Sequence, residues 1–275
     1  MNSVTYDVAF LSSSQFSSIE NKKDLNSVAV QNVTYSFIFN QNDNNYRNKN
    51  MRLAFCHSCD TSSLFDSQSD ISKADGIVPP SCKIGGEDYR NGNAAELLSY
   101  DEALAKKNFN DALLELGSSS VETTILCTEQ YESFVKQMVQ KLQKTLGVKF
   151  VSTVKVVSES DLEAAVNDGN YSVAFYPFKA KSSFAGEIIE GFDQNNIFGY
   201  ESDVLSQKIR NIKNNSGSLE GERSAVADAE NYLVSEAVIM PVFYENSYFV
   251  TSKKTSGIYF YSSADNVCFI NAKKS

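Results

Sequence analysis

Between Val121 and Tyr176 the chain alternates strand and helix patterns without a break, and this alternation limits its possible folds more than any other feature. Val121 to Cys127 reads as a strand. Tyr131 to Leu146 then sets Tyr131, Phe134, Val135, Met138, Val139, Leu142 and Leu146 at the three-and-four spacing of one buried helical stripe. Val148 to Val157 is a second strand and Tyr171 to Tyr176 a third, separated by a short helix for which Ser160 and Glu163 offer a capping box. Strands separated by helices must be joined by crossovers. The expected fold is therefore α/β, a mixed and at least partly parallel sheet with flanking helices.

The flanks are less regular. Val4 to Phe10 and Val33 to Phe39 read as strands, Asn40 to Asn50 as a loop, and Met51 onward as a short helix that ends before the polar Ser62 to Asp75 stretch and Pro79-Pro80. Residues 81–100 look irregular. A helix from Tyr100 to Leu116 stops at Gly117, a favourable C-terminal signal. After Phe178 the chain turns polar through Asn196. It then gives helices over Asp203 to Ile212 and Gly221 to Ala237, strands over Val238 to Tyr244 and Tyr248 to Thr251 joined by a turn at Glu245-Asn246, and an extended end from Gly257 to Ile270.

A net charge of −9 excludes the basic excess that a nucleic-acid partner requires. His57 is the sole histidine, which removes most metal sites and the usual base of nucleophilic catalysis, so no enzyme is expected. Cys56-His57-Ser58-Cys59 invites a zinc or thiol-redox reading, but no second pair accompanies it, and on a helix the two cysteines pack as small apolar residues. No metal or cofactor is expected. Glu187 with Glu190, or Asp101 with Glu102, are read as solvated faces rather than as acid and base. Phe175-Tyr176-Pro177-Phe178-Lys179-Ala180-Lys181 puts aromatics and cations at the end of a strand, where ligands of α/β sheets bind. That stretch equally suits a core Phe with two solvated lysines, and both readings stay open.

The order of short motifs resembles the oligopeptide-binding (family 5) extracellular solute-binding proteins of ABC importers. Tyr35 to Asn40, then Asn50 and Met51-Arg52-Leu53-Ala54 leading to Asp60, is similar to their FN and R-x-A signature. Gly76 to Pro80 resembles the loop before their Ala- and Leu-rich helix, here Ala103 to Gly117. Phe134 to Val148, Gly169 to Ala174, and Ala229 to Tyr244 resemble later segments of the family in the same order.

The resemblance implies the second lobe of a two-lobed, periplasmic-binding-protein-like (class II) fold, with residues 1–34 ending a first lobe, 35–256 forming the second, and 257–275 returning toward the first. It implies a fragment of a longer, extracytoplasmic protein, periplasmic or lipid-anchored at the cell surface, although the start at Met1 has no signal-peptide pattern. Its implied partners are a peptide or other small solute, an ABC permease and the first lobe, with no nucleic acid. The implied ligand-binding residues are Phe39, Asn40, Tyr176, Phe178, Lys179 and Lys181. Where the family commonly has an acid after this strand, Tyr176 to Lys181 offers two cations, which brings an anionic or carboxylate-presenting ligand into consideration. Against this stand two other classes, a cytoplasmic thiol or metal protein using Cys56 and Cys59, and an interaction domain without a small ligand.

Overall fold

The computed structural model describes residues 7–61, 64–65, 69–193, 196–261 and 266–274. Strands β1 (Val8–Ser12), β2 (Leu25–Val30), β3 (Val33–Phe39) and β4 (Ile71–Lys73) come first, with α1 (Ser13–Ser17), α2 (Asn44–Arg47) and α3 (Lys49–Ser58) between them. Val4 to Tyr6 of the first expected strand lie outside the described residues. A small hairpin of β5 (Lys83–Ile84) and β6 (Glu87–Asp88) precedes α4 (Glu102–Leu116), β7 (Val121–Thr128), α5 (Glu132–Leu146), β8 (Phe150–Val157), α6 (Glu159–Asn167) and β9 (Val173–Lys179). Helices α7 (Ala185–Glu190), α8 (Asp203–Asn214) and α9 (Leu219–Ser235) lead to β10 (Ile239–Glu245) and β11 (Ser247–Ser252). Two short antiparallel pairs follow, Thr255–Ser256 with Lys273–Lys274 and Tyr259–Tyr261 with Asn266–Cys268.

The main sheet is mixed, in the order β4-β10-β3-β9-β7-β8. β7 runs parallel to β8 and β9, while β3, β10 and β4 pair antiparallel. Both faces are covered, so the central strands send apolar side chains alternately to two cores. Phe37, Ile125, Cys127, Val173 and Phe175 meet α3, α4 and α5, whereas Ile38, Leu126 and Ala174 meet α6 to α9. The α5 stripe lies where its spacing predicts, with Phe134, Val135, Met138, Val139, Leu142 and Leu146 buried. Leu142→Ala is expected to cost about 2–5 kcal/mol, read from the urea midpoint, because a fully buried isobutyl group would leave a cavity. A loss below about 1 kcal/mol would mean that α5 does not carry this core.

Local chemistry sets the element ends. Gly117, left-handed at φ 64°, closes α4, and Asp101 caps its start by accepting from Leu104 N. Two expected boundaries change. Ser158 rather than Ser160 caps α6, its hydroxyl accepting from Asp161 N at 3.1 Å. The expected loop over Asn40 to Asn50 contains α2 and the start of α3, whose caps are Asp43 and Asn48. Past the Glu236 cap of α9, Ala237 at φ 48° closes the helix, with Val238 N bonded to Leu233 O and Ala237 N to Val234 O, a Schellman closure without glycine.

A second sheet, β1-β11-β2, is antiparallel and three-stranded. The expected turn at Glu245-Asn246 is instead a passage, because β10 belongs to the main sheet and β11 to the small one. Asn246 makes this abrupt change possible. Its N–H donates to Asp70 O at 2.7 Å, its side-chain N–H to Ser69 O at 3.0 Å, and its Oδ1 accepts from Gln31 Nε2 at 2.7 Å. Gln31 and Asn32 make the other passage, between β2 and β3. Ser247 is thus the first residue of the small sheet after the passage.

Candidate functional site

At the carboxyl ends of β7 and β9 the main sheet splays. The two strands pair only at Ile125–Val173 and Leu126–Ala174, so from Phe175 onward β9 keeps β3 as its one neighbour among the described residues. Pro177 fits there because a strand edge does not need its missing N–H. Two compartments open along this edge. One, about 430 Å³, lies among Val33, Tyr35, Thr128, Glu159, Leu162 and Glu245. The other, about 500 Å³, is walled by Phe178, Ile188, Phe192, Ile197 and Phe198 together with Glu187. Glu163, Tyr176, Pro177 and Lys179 line both, making one cleft at the sheet end where α/β folds bind ligands.

Four of the six sequence candidates meet here: Tyr176, Phe178, Lys179 and Lys181 all line the larger compartment. Phe39 and Asn40 do not. β3 and β9 are antiparallel, pairing Val33 with Lys179 and Phe39 with Val173, so Phe39 sits at the opposite end of the strand, about 20 Å away. Its ring is buried, stacked on Tyr46 at 5.5 Å and edge-on to Phe55 at 5.1 Å. Asn40 is a buried latch. Its Nδ2 donates to Gly169 O at 2.8 Å and Tyr171 O at 2.7 Å, and its Oδ1 accepts from Asn42 N at 3.0 Å.

The strand stretch brings no acid to the cleft, but other elements do. Glu159 and Glu163 come from α6, Glu187 from α7 and Glu245 from β10. Burial, and then the charge of Glu163, raises the Tyr176 phenol above its ordinary range. Tyr35 is pushed up to about 12, chiefly by burial, and its ring lies 4.4 Å from that of Tyr131. Tyr131 is raised further, first by burial, and donates to Glu245 Oε1 at 3.2 Å. Tyr35 and Tyr176, which line the cleft, therefore stay protonated.

α7 stands where a polar stretch was expected, and of its two acids only Glu187 departs from the solvated face expected for both. Glu190 approaches Lys213 at 3.8 Å, as a surface residue would. Glu187 differs: its Oε2 is buried and has no hydrogen-bond partner among the described residues. The only available signal was Ile188-Ile189, too short to show a period.

The cysteine pair lies elsewhere, beside a cavity of about 340 Å³ next to β10. Cys56 and Cys59 are packed in the core, and burial pushes the Cys56 thiol up to about 12 and that of Cys59 higher still. His57 Nδ1 donates to Ser99 O at 2.7 Å. Among the described residues no group of three or more His, Cys, Asp or Glu side chains is placed to hold a metal ion. Thiols raised this far are poor nucleophiles.

The sequence model of the bacterial extracellular solute-binding proteins, family 5 middle, matches residues 2–198. The dipeptide-binding protein DppE of Bacillus subtilis (strain 168) is 24% identical over 232 residues, covering 82% of this chain and 42% of that protein. The substrate-binding domain of an oligopeptide ABC transporter from Bacillus anthracis superposes with a TM-score of 0.79 at 16% identity, over 98% of this chain and 54% of that one. Listeria monocytogenes OppA bound to peptide superposes at 0.75 and 19% identity with the same coverage. The chain spans about half the length of each of these three relatives.

Proposed function

The chain belongs to the bacterial extracellular solute-binding proteins of family 5, and from that premise we propose that it forms one lobe of a binding protein that presents peptides to an ABC importer. The observation that carries this reading is the unpaired edge of β9 beside two compartments. An extended peptide can add to such an edge by main-chain hydrogen bonds, with its alternate side chains entering pockets. Full capture then requires a second lobe, because closing a cleft from both sides buries the ligand and excludes water. The permease and an extracytoplasmic location, periplasmic or lipid-anchored, belong to the same proposal. The described residues include no helix long and apolar enough to cross a membrane.

Calorimetry on the natural full-length protein with trialanine and related tripeptides tests the reading. Tyr176→Ala is expected to weaken binding at least about tenfold, since it removes an aromatic wall shared by both compartments. Lys179→Ala should matter only for a ligand with a carboxylate near it. Unchanged affinity in Tyr176→Ala, with a peptide that binds the parent protein, would put the cleft on another surface.

A further inference from the structure

The larger compartment carries a more specific assignment, which rests on the peptide-binding reading above. We propose that it is a selectivity pocket for a positively charged ligand side chain, lysine or arginine, with Glu187 as the counter-charge.

Two independent features support this. The first is the wall. Phe192 and Phe198 are buried and stacked on each other at 4.5 Å, and Phe178 lies nearly parallel to both at 5.8 Å. Tyr176 meets Phe178 edge-on at 5.6 Å. Phe178 and Tyr176 remain partly exposed and turn toward the cavity. Aromatic surface of this kind accepts the apolar stem of a long basic side chain and attracts the cation at its tip.

The second feature is the charge. Glu187 lines the same cavity, and its buried Oε2 has no donor among the described residues. A carboxylate oxygen without a donor is costly, and a ligand cation in the cavity would supply one once the Glu187 carboxylate turns toward it. Lys213 lies 3.8 Å from Glu190. Lys179 and Lys181 also line the cavity, but both are exposed, so solvent screens them more than it screens a buried oxygen. Glu163, shared by both compartments, adds a second negative charge. The pocket opens beside the edge of β9, where a strand-like peptide would send every second side chain.

The test separates charge from stem. Calorimetry on the natural full-length protein would use trialanine, trialanine with lysine at each position in turn, and the same series with norleucine, which keeps the stem and lacks the charge. At one position lysine should bind at least tenfold tighter than norleucine. Glu187→Gln should bring that ratio close to one by weakening the lysine peptide, while Glu190→Gln should leave the ratio as it was. Norleucine equal to or tighter than lysine at all three positions overturns the pocket, as does a ratio that survives Glu187→Gln. If the peptides bind with no preference, only the pocket assignment fails. If none of them binds, the peptide-binding reading fails with it.

Discussion

Glu230→Ala is expected to destabilise the protein by about 3–5 kcal/mol, the loss typical of leaving one member of a buried ion pair alone. Glu230, on α9, is 1% exposed and has no water to fall back on. Its Oε1 accepts from Ile77 N at 2.7 Å, Val78 N at 2.9 Å and Arg90 Nη2, and its Oε2 from Tyr89 OH at 3.1 Å and Arg90 Nη1 at 2.9 Å. One carboxylate thus holds the 76–93 segment, with its β5–β6 hairpin, to the helix. The same cluster requires glycine at position 76, where a Cβ would collide with both Arg90 and Glu230. Glu230→Gln keeps an acceptor for Ile77 and Val78 but sets an amide N–H against Arg90, so it should lose less than alanine. Urea unfolding of both variants checks the order, and a loss below about 1 kcal/mol for alanine would mean that water replaces the carboxylate.

Arg52→Leu is the second large effect. The Arg52 guanidinium, 2% exposed, is fixed by backbone carbonyls: Nε donates to Ala237 O at 3.0 Å, Nη2 to Glu236 O at 3.0 Å, and Nη1 to Tyr46 O at 2.8 Å and Arg47 O at 3.0 Å. It therefore caps the C-terminal ends of α2 and α9 together, where the helix dipoles favour a cation. If two of the four carbonyls stay dry after the substitution, at about 1–3 kcal/mol each, the loss is about 2–6 kcal/mol. Arg52→Lys should recover little, because an ammonium cannot span both helix ends as the planar fork does. A lysine variant within about 1 kcal/mol of the parent in urea would refute the double cap.

What could be read in advance divides along physical lines. The α5 stripe and the strands around it were legible because each element buries one face against the core, which imposes a period on the sequence. β2 was not: Leu25 to Ala29 bury little, so no alternation marks them. The passage at Asn246 looked like a hairpin turn, since two apolar runs around a polar pair carry no record of which sheet each run joins. The candidate cleft was half legible. Tyr176 to Lys181 could be placed because residues at the end of a strand in an alternating α/β pattern reach its carboxyl edge. Phe39 and Asn40 lie away from the candidate cleft because strand direction in a mixed sheet depends on long-range pairing, and the antiparallel register of β3 against β9 puts them at the opposite end. The acids of the cleft were hidden because they arrive from α6, α7 and β10, segments far apart in the chain.

That reversal also bears on how such a protein can change over generations. One strand pair, β3 with β9, ends on one side in the Asn40 latch and on the other in the open edge from Tyr176. Mutations at the latch strike buried hydrogen bonds and would be purged, whereas mutations at the edge fall on partly exposed side chains and can accumulate. On the proposed reading, a lineage could therefore alter what it captures by substitution at Tyr176, Phe178, Lys179, Lys181 and Glu187, none of them fully buried, without eroding the fold. Exchanging that end alone between relatives should transplant preference while leaving foldability to the other end.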